Sequence, residues 1–335
     1  MERYKDKLKE LYVFLKIHYL LDKIKPYRYK YKGILKSALP FLFMLPFFIM
    51  IAVMWFAPVI MTTYMAFTKT QWTITNMRFI GLQNFIRIFT RDIYVTRTIY
   101  VTVLYVSTVL MINAFFSLVL AIFTTYFIKR ETIAIPIRLA WLIPRITPAV
   151  IYALLWRWFI DPKIGLLNSM LEFLGIPAPR DWLLTAPYSQ ILMIVVNGYV
   201  GASFGMIIYS AAITSIPTDI LHAAMADGAT DLQICRHIII PLLKWPIFFV
   251  TAWQCLSLIS SYEHILALWA GAGVARAAEV EVWALYAYSK AFYASEYGYG
   301  AALSLFLVII GIIFILIFFK VFGFERMMQP SRVEV

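Results

Sequence analysis

The chain has 335 residues, of which 62% are hydrophobic, 17% aromatic and only 14% charged, where a soluble domain carries about 25% charged residues. Together with a mean hydropathy of +0.78, this excludes an ordinary soluble enzyme or binding domain and describes an integral membrane protein. The net charge of +12 does not call for nucleic acid, because much of it is gathered at one end.

That end is basic: Arg3, Lys5, Lys7, Lys9, Lys16, Lys23, Lys25, Arg28, Lys30, Lys32 and Lys36 stand against Glu2, Asp6, Glu10 and Asp22. Residues 2–24 read as an amphipathic helix with Leu8, Leu11, Tyr12, Leu15, Tyr19 and Leu20 near one face, stopped by Pro26. Such a helix lies on an anionic membrane surface. A basic tail before a span marks the cytoplasmic side, and its length argues against a cleaved signal peptide.

A bilayer core takes about 20 apolar residues per helix. The sequence offers six such stretches: 37–67, 100–127, 133–160, 187–213, 246–270 and 301–321. The expected fold is an all-α integral membrane protein of about six transmembrane helices with both termini cytoplasmic. The expected division is a basic segment 1–36, a transmembrane domain 37–323 and a cytoplasmic tail 324–335. Three outer segments remain, near 68–98, 161–186 and 271–299. The last holds Trp283, Tyr286, Tyr288, Phe292, Tyr293, Tyr297 and Tyr299, read mainly as an interfacial aromatic belt. Cys235 and Cys255 fall in different elements and are expected to stay unpaired.

The fourth and fifth spans are joined by PTDILHAAMADGATDLQICRHIIIP, Pro217 to Pro241. Pro217 and Asp219 suit the start of a helix, and Gly228 suits its left-handed end. Thr230 and Gln233 have capping-box spacing for a second helix, and Pro241 bends or ends it. Six spans with a cytoplasmic N-terminus put this hairpin on the cytoplasmic side.

Polar side chains inside spans mark pathways or partners. In the fifth span Gln254, Ser257, Ser260, Ser261 and His264 fall on one helical stripe, with Glu263 beside it. This predicts either a hydrogen-bonding path or a serine-mediated helix contact. The fourth span offers Asn197 and Tyr199 for the path, while Gly201 and Ser203 suit close packing. Arg145, deep in the third span, would cost about 2.5–3.5 kcal/mol at a helix centre. Glu263 is a candidate partner for it, and an anionic substrate is an alternative reason for its presence. No G-x-x-x-x-G-K-[ST], His-Glu-x-x-His or G-x-S-x-G stretch occurs, so a nucleotide, zinc or serine-nucleophile enzyme has no support.

The hairpin carries a resemblance. His222-Ala223-Ala224, Gly228, then Ile238, Ile240 and Pro241 match the spacing of the Glu-Ala-Ala coupling motif of ABC importer permeases, with His222 in place of the glutamate. FIGLQNF (79–85), GLLN (165–168) and EYGYGAALS (296–304) also resemble the carbohydrate-type permeases of maltose, lactose and glycerol-phosphate systems, in particular the larger first permease of each pair. The chain departs again at AGAGV (270–274), where that family has a Gly-Gly-Pro turn.

The resemblance implies a type I ABC importer permease in the cytoplasmic membrane of a prokaryote. It implies a second homologous permease, two ATP-binding cassette subunits and an extracytoplasmic solute-binding protein as partners, within the lipid membrane and without nucleic acid. ATP and Mg would be bound by the partner ATPase, and no cofactor by this chain. It also implies ATPase coupling through Asp219, His222, Ala223, Ala224, Asp227, Gly228, Ile238 and Pro241, and a sugar or acidic sugar as cargo. An ion-coupled secondary transporter or channel is the competing expectation, with Glu263 as its carboxylate; phosphate esters such as glycerol phosphate are the alternative cargo.

Overall fold

The computed structural model describes residues 12, 13, 16, 41–177 and 181–322. Residues 12, 13 and 16 are helical; the rest of the expected surface helix at 2–24 and the tail 324–335 lie outside the described residues. The chain divides into two compact units, Met1–Thr62 and Thr63–Val335.

The first long helix, α1 (Phe41–Ala66), is apolar on every side, with a mean hydropathy of 2.3 over its most apolar window. Antiparallel β1 (Thr68–Lys69) and β2 (Arg78–Phe79) pair next, and α2 (Gln83–Thr90) follows. Asn84, from the FIGLQNF stretch, donates to the carbonyls of Ala66 and Thr68 at 2.9 Å each, which ties α2 to the start of β1.

Helix α3 (Val95–Phe127) packs along α7 (Tyr188–Thr214). Val101, Tyr105, Val109, Asn113, Ser117 and Ala121 on α3 are all buried and recur every fourth residue, the ridge spacing that seats one helix on another. In the facing helix a Cβ at Gly201 would collide with Asn113, and one at Gly205 with Ser117. These two glycines, four apart, allow the backbones to approach as in other membrane helix pairs.

The third span is not one helix, contrary to the continuous run expected over 133–160. It is α4 (Glu131–Ile146) and α5 (Ala149–Phe159), bent by 108° at Thr147–Pro148. Pro148 forces the preceding Thr147 into an extended conformation, because the ring excludes helical geometry there. After α6 (Leu166–Phe173) and α7 come the short α8 (Thr218–Ala226) and α9 (Asp231–Leu242), the latter bent by 64° into α10 (Lys244–Ser260). The expected span 246–270 ends early: Ser261 is extended, and a separate short α11 (Glu263–Leu268) follows. Next stand α12 (Ala272–Ala277), α13 (Trp283–Tyr288) and α14 (Tyr297–Phe322). Among the described residues, four helices are long and apolar enough to cross a membrane, and up to six spans result if each bent pair counts as one.

Of the seven aromatics at 283–299, three are core rather than interfacial belt, and Tyr288 and Tyr297 are half-buried. Trp283, Tyr286 and Tyr299 are buried with Ala66, Ile88 and Leu303, whereas Phe292 and Tyr293 stay exposed. Cys235 and Cys255 are both free and buried.

Candidate substrate path and coupling hairpin

The two broken spans meet at a cavity of about 360 Å³. Its wall takes Arg145 from α4, Thr147 at the first break, Tyr152 from α5, Asn197 from α7, Ser257 and Ser260 from α10, Ser261 and Tyr262 at the second break, and Glu263 and His264 from α11. The volume is that of a small-molecule site. Because α10 stops at Ser260, Ser261 and His264 reach this wall across a break and not along a helical stripe.

Arg145 sits in the last turn of α4 and not at the centre of a helix. The negative end of a helix dipole favours a cation there, and Glu263 stands in the first turn of α11, where the positive end favours an anion. Both side chains face the cavity, yet among the described residues neither makes an ion pair, with the other or with anything else. Burial or membrane insertion of charge is costly without a partner, so the helix ends and the polar cavity must carry it.

A smaller pocket of about 30 Å³ adjoins, lined by Asn113, Arg145, Asn197, Gly201, Phe204, Trp253, Gln254 and Ser257 among others. Gln254 donates to the Gly201 carbonyl at 3.3 Å. Its own Oε1 and the Oδ1 of Asn113 are buried without a protein partner, which is uncommon for interior oxygens. Tyr199 lines neither space: its hydroxyl donates to the Ala140 carbonyl at 3.3 Å and its ring meets Trp141 at 4.6 Å.

Sequence reasoning missed Tyr105, Asn113, Thr147, Tyr152 and Tyr262. The every-fourth-residue pattern in α3 would have pointed to Tyr105 and Asn113, since a polar side chain on a helix-packing ridge must find a partner. Thr147, Tyr152 and Tyr262 reach the cavity only because the two spans break.

At the far end of α7 and the near end of α10 lies the hairpin. Pro217 is the residue before α8, and no residue of α8 is buried, so Asp219, His222 and Ala223 are presented to the outside. Gly228 takes φ +82°; the N–H of Ala229 closes onto the Ala224 carbonyl at 3.0 Å, a Schellman-type helix end. Thr230 and Gln233 form the capping box of α9 in both directions. Asp227, Gly228, Gln233, His237 and Ile238 border a concavity of about 310 Å³, and Pro241 is exposed near the end of α9. Beneath, Ile234, Ile239 and Leu243 are buried with Ala121, Tyr209, Ile213 and Val250. Tyr126 at the end of α3 donates to Asp231 at 2.8 Å. The hairpin is thus packed onto the ends of the helices that line the cavity.

A third cluster closes the opposite end. Asp92 Oδ2 accepts from the hydroxyls of Tyr286 and Tyr299, each at 2.5 Å. Partial burial works to raise the Asp92 pKa, but these two hydrogen bonds and the Tyr94 N–H together hold it below the ordinary carboxylate value. Arg87 grips Glu296 with two bonds of 3.1 Å and lies over the Tyr299 ring at 3.9 Å. Arg276 grips the buried Glu281 at 2.6 and 2.8 Å.

No family model matches the chain. The chain is 26% identical over 290 residues to the arabinooligosaccharides transport system permease protein AraP of Bacillus subtilis, covering 86% of this chain and 90% of that one. It is 24% identical over 292 residues to the trehalose/maltose transport system permease protein MalF of Thermococcus litoralis, covering 87% and 96%. A probable ABC transporter permease protein of Pyrococcus horikoshii is 25% identical over 276 residues, covering 82% and 92%. Among solved structures, a bacterial ABC transporter involved in the import of the acidic polysaccharide alginate superposes with a TM-score of 0.77 at 22% identity, covering 89% of this chain and 99% of that one. The same kind of transporter in complex with an alginate pentasaccharide-bound periplasmic protein gives 0.76 at 22%, covering 86% and 94%. The fold is that of a membrane-spanning ABC importer permease. Within that class the chain resembles the permeases of carbohydrate systems.

Proposed function

We propose that this chain is the permease subunit of a binding-protein-dependent ABC importer and passes a sugar or oligosaccharide through the cavity between its broken spans. The observation that carries this is one continuous construction: a sugar-sized polar cavity on α7 and α10, and an exposed capped hairpin packed onto the ends of those same helices. The relatives are named for arabinooligosaccharides and for trehalose and maltose, which supports a carbohydrate cargo. Hydroxyl-bearing Ser257, Ser260, Ser261, Tyr152 and Tyr262, with Asn197, Asn113 and Gln254, offer donors and acceptors to sugar hydroxyls.

Movement is by alternating access. A second permease and two ATP-binding subunits complete the transporter, and a solute-binding protein delivers the cargo. ATP and Mg belong to the partner subunits. ATP-driven closure of those subunits acts on α8 through Asp219, His222, Ala223, Ala224 and Asp227, and Gly228 holds the hinge that transmits it. Cargo and ATP shift the equilibrium because they bind one conformation better than the other.

An acidic cargo is the second reading. The unpaired Arg145 favours it, and the alginate importer shares the fold. A carboxylate placed against Arg145 would take up the charge that Glu263 leaves unpaired.

The test is purification of the chain from its native membrane, followed by reconstitution and uptake of a panel of trehalose, maltotriose, arabinotriose and alginate trisaccharide. Co-purification of an ATP-binding subunit, with ATP-dependent uptake of one panel member, is expected. Gly228→Val places a β-branched residue at positive φ, strained by about 1–3 kcal/mol, and should release the ATP-binding subunit or reduce uptake more than tenfold. Recovery of the chain alone, transporting under an ion gradient, would discard the importer reading.

A further inference from the structure

Four side chains, three on α3, α7 and α11 and one at the second break, form a relay in the cavity wall. The Asn197 amide N–H donates to the Tyr105 hydroxyl. The Tyr105 oxygen lies 3.2 Å from His264 Nε2, and His264 Nδ1 lies 3.2 Å from Ser261 Oγ. Asn197 Nδ2 also approaches His264 Nε2 at 3.3 Å. Tyr105 and His264 are buried, at 0% and 4% exposure; Asn197, Ser261 and one edge of His264 border the cavity.

With the Asn197 amide in this orientation, donor and acceptor rules fix the direction. An amide N–H only donates, so the Tyr105 oxygen accepts from Asn197 and sends its own proton to His264 Nε2. That nitrogen is then the bare one of a neutral ring, and the proton sits on Nδ1. Nδ1–H donates to Ser261, which leaves the Ser261 hydroxyl proton to point elsewhere. Asn197 Oδ1 likewise has no protein partner among the described residues. The two ends of the relay therefore offer the cavity one acceptor, Asn197 Oδ1, and one donor, the Ser261 hydroxyl.

We infer that Tyr105 and His264 are positioning residues that lock Asn197 and Ser261 into opposite hydrogen-bonding polarity, so that the path receives paired sugar hydroxyls there and not a carboxylate. The relay runs in only two ways. If the Asn197 amide turns over, the Tyr105 proton goes to Oδ1, the His264 proton moves to Nε2, and Ser261 donates to Nδ1. The amide then donates into the cavity while Ser261 accepts. Either way one end gives and the other takes. A hydroxyl can do both, so two sugar hydroxyls fit both settings; a carboxylate only accepts and meets a mismatched end in each. An acid group on the cargo would accordingly sit against Arg145 in the same cavity and not against the Asn197–Ser261 pair.

The consequence for cargo rests on the reading of the cavity as a sugar path; the relay itself does not, and the test separates the two. The full chain, with whatever subunits purify with it, is labelled with ¹⁵N-histidine and studied by solid-state NMR in lipid at neutral pH. Only four histidines are present, and the loss of one signal set in His264→Gln assigns the residue. The expected signature is a neutral ring with Nδ1 in the N–H range and Nε2 in the bare-nitrogen range. Ser261→Ala removes the acceptor of Nδ1–H and should shift the ring toward the other tautomer. Tyr105→Phe should move the Nε2 resonance further toward a free nitrogen. A neutral Nε2–H ring that Ser261→Ala still moves would place the relay in its reversed setting and keep the paired polarity; an imidazolium in the unsubstituted protein, or a ring signal that neither substitution moves, overturns the assignment. Should Tyr105→Phe fail to fold, Ser261→Ala on the cavity wall carries the test. A relay seen without sugar uptake would leave the assignment standing and the cargo reading fallen.

Discussion

The clasp around Asp92 and the cavity around Arg145 hold similar groups in opposite ways. In the clasp, every charged group has a partner: Asp92 has two tyrosines, Arg87 has Glu296, and Arg276 has Glu281. In the cavity, Arg145 and Glu263 face one space without pairing, and in the small pocket beside it two interior amide oxygens lack a protein partner among the described residues. The clasp joins the segment between α2 and α3 to the segment around α13 and α14. Its polar groups are used up by one another, which is what a rigid structural joint needs. The cavity leaves its groups free for something that comes and goes. Satisfaction of hydrogen bonds, more than residue type, separates scaffold from path in this molecule.

The sharpest way to break this contrast is Arg276→Met. Glu281 is 4% exposed, and a buried carboxylate stripped of its arginine is expected to cost about 3–5 kcal/mol. Thermal unfolding in detergent should show a large fall in Tm, and Arg276→Met with Glu281→Leu together should recover much of it. If Arg276→Met leaves Tm unchanged, the clasp is not a structural joint.

Arg145→Gln and Glu263→Gln should behave in the reverse manner. Neither breaks an ion pair, so Tm should hold or rise, while uptake of the panel sugar falls about tenfold, equivalent to about 1.4 kcal/mol. A variant that unfolds but transports normally would reverse the roles assigned to these side chains.

The smallest effect concerns pH. The folded-state pKa of Asp92 lies below its ordinary value of 3.8. Its contribution to stability is therefore complete above that ordinary value and is lost as pH falls through the depressed one. Tm measured down a series of acidic buffers should decline less steeply for Asp92→Asn than for the unsubstituted chain. Identical slopes would show that the two tyrosines do not hold the carboxylate charged.

The amino-acid sequence was enough to read the membrane class, the six apolar stretches and the hairpin with its glycine hinge and Thr230–Gln233 cap. These are set by local chemistry: runs of apolar residues, the backbone freedom of Gly228 and a three-residue capping spacing. It also named Arg145, Asn197, Ser257, Ser260, Ser261, Glu263 and His264, because a polar side chain in an apolar run stands out. That these residues meet follows from the packing of segments far apart in the chain. Pro148 bends the third span by 108°, and an extended Ser261 ends α10, so Arg145 and Glu263 lie at helix ends where dipoles support them and not at helix centres. The same is true of the aromatics before α14. Alone they read as a belt, but Tyr286 and Tyr299 become core once Asp92, nearly two hundred residues away from Tyr286 (|i−j| = 194), accepts their hydroxyls, and Trp283 once its indole N–H reaches the Leu303 carbonyl. A contact across that separation is fixed by how helices pack, and no local pattern encodes it.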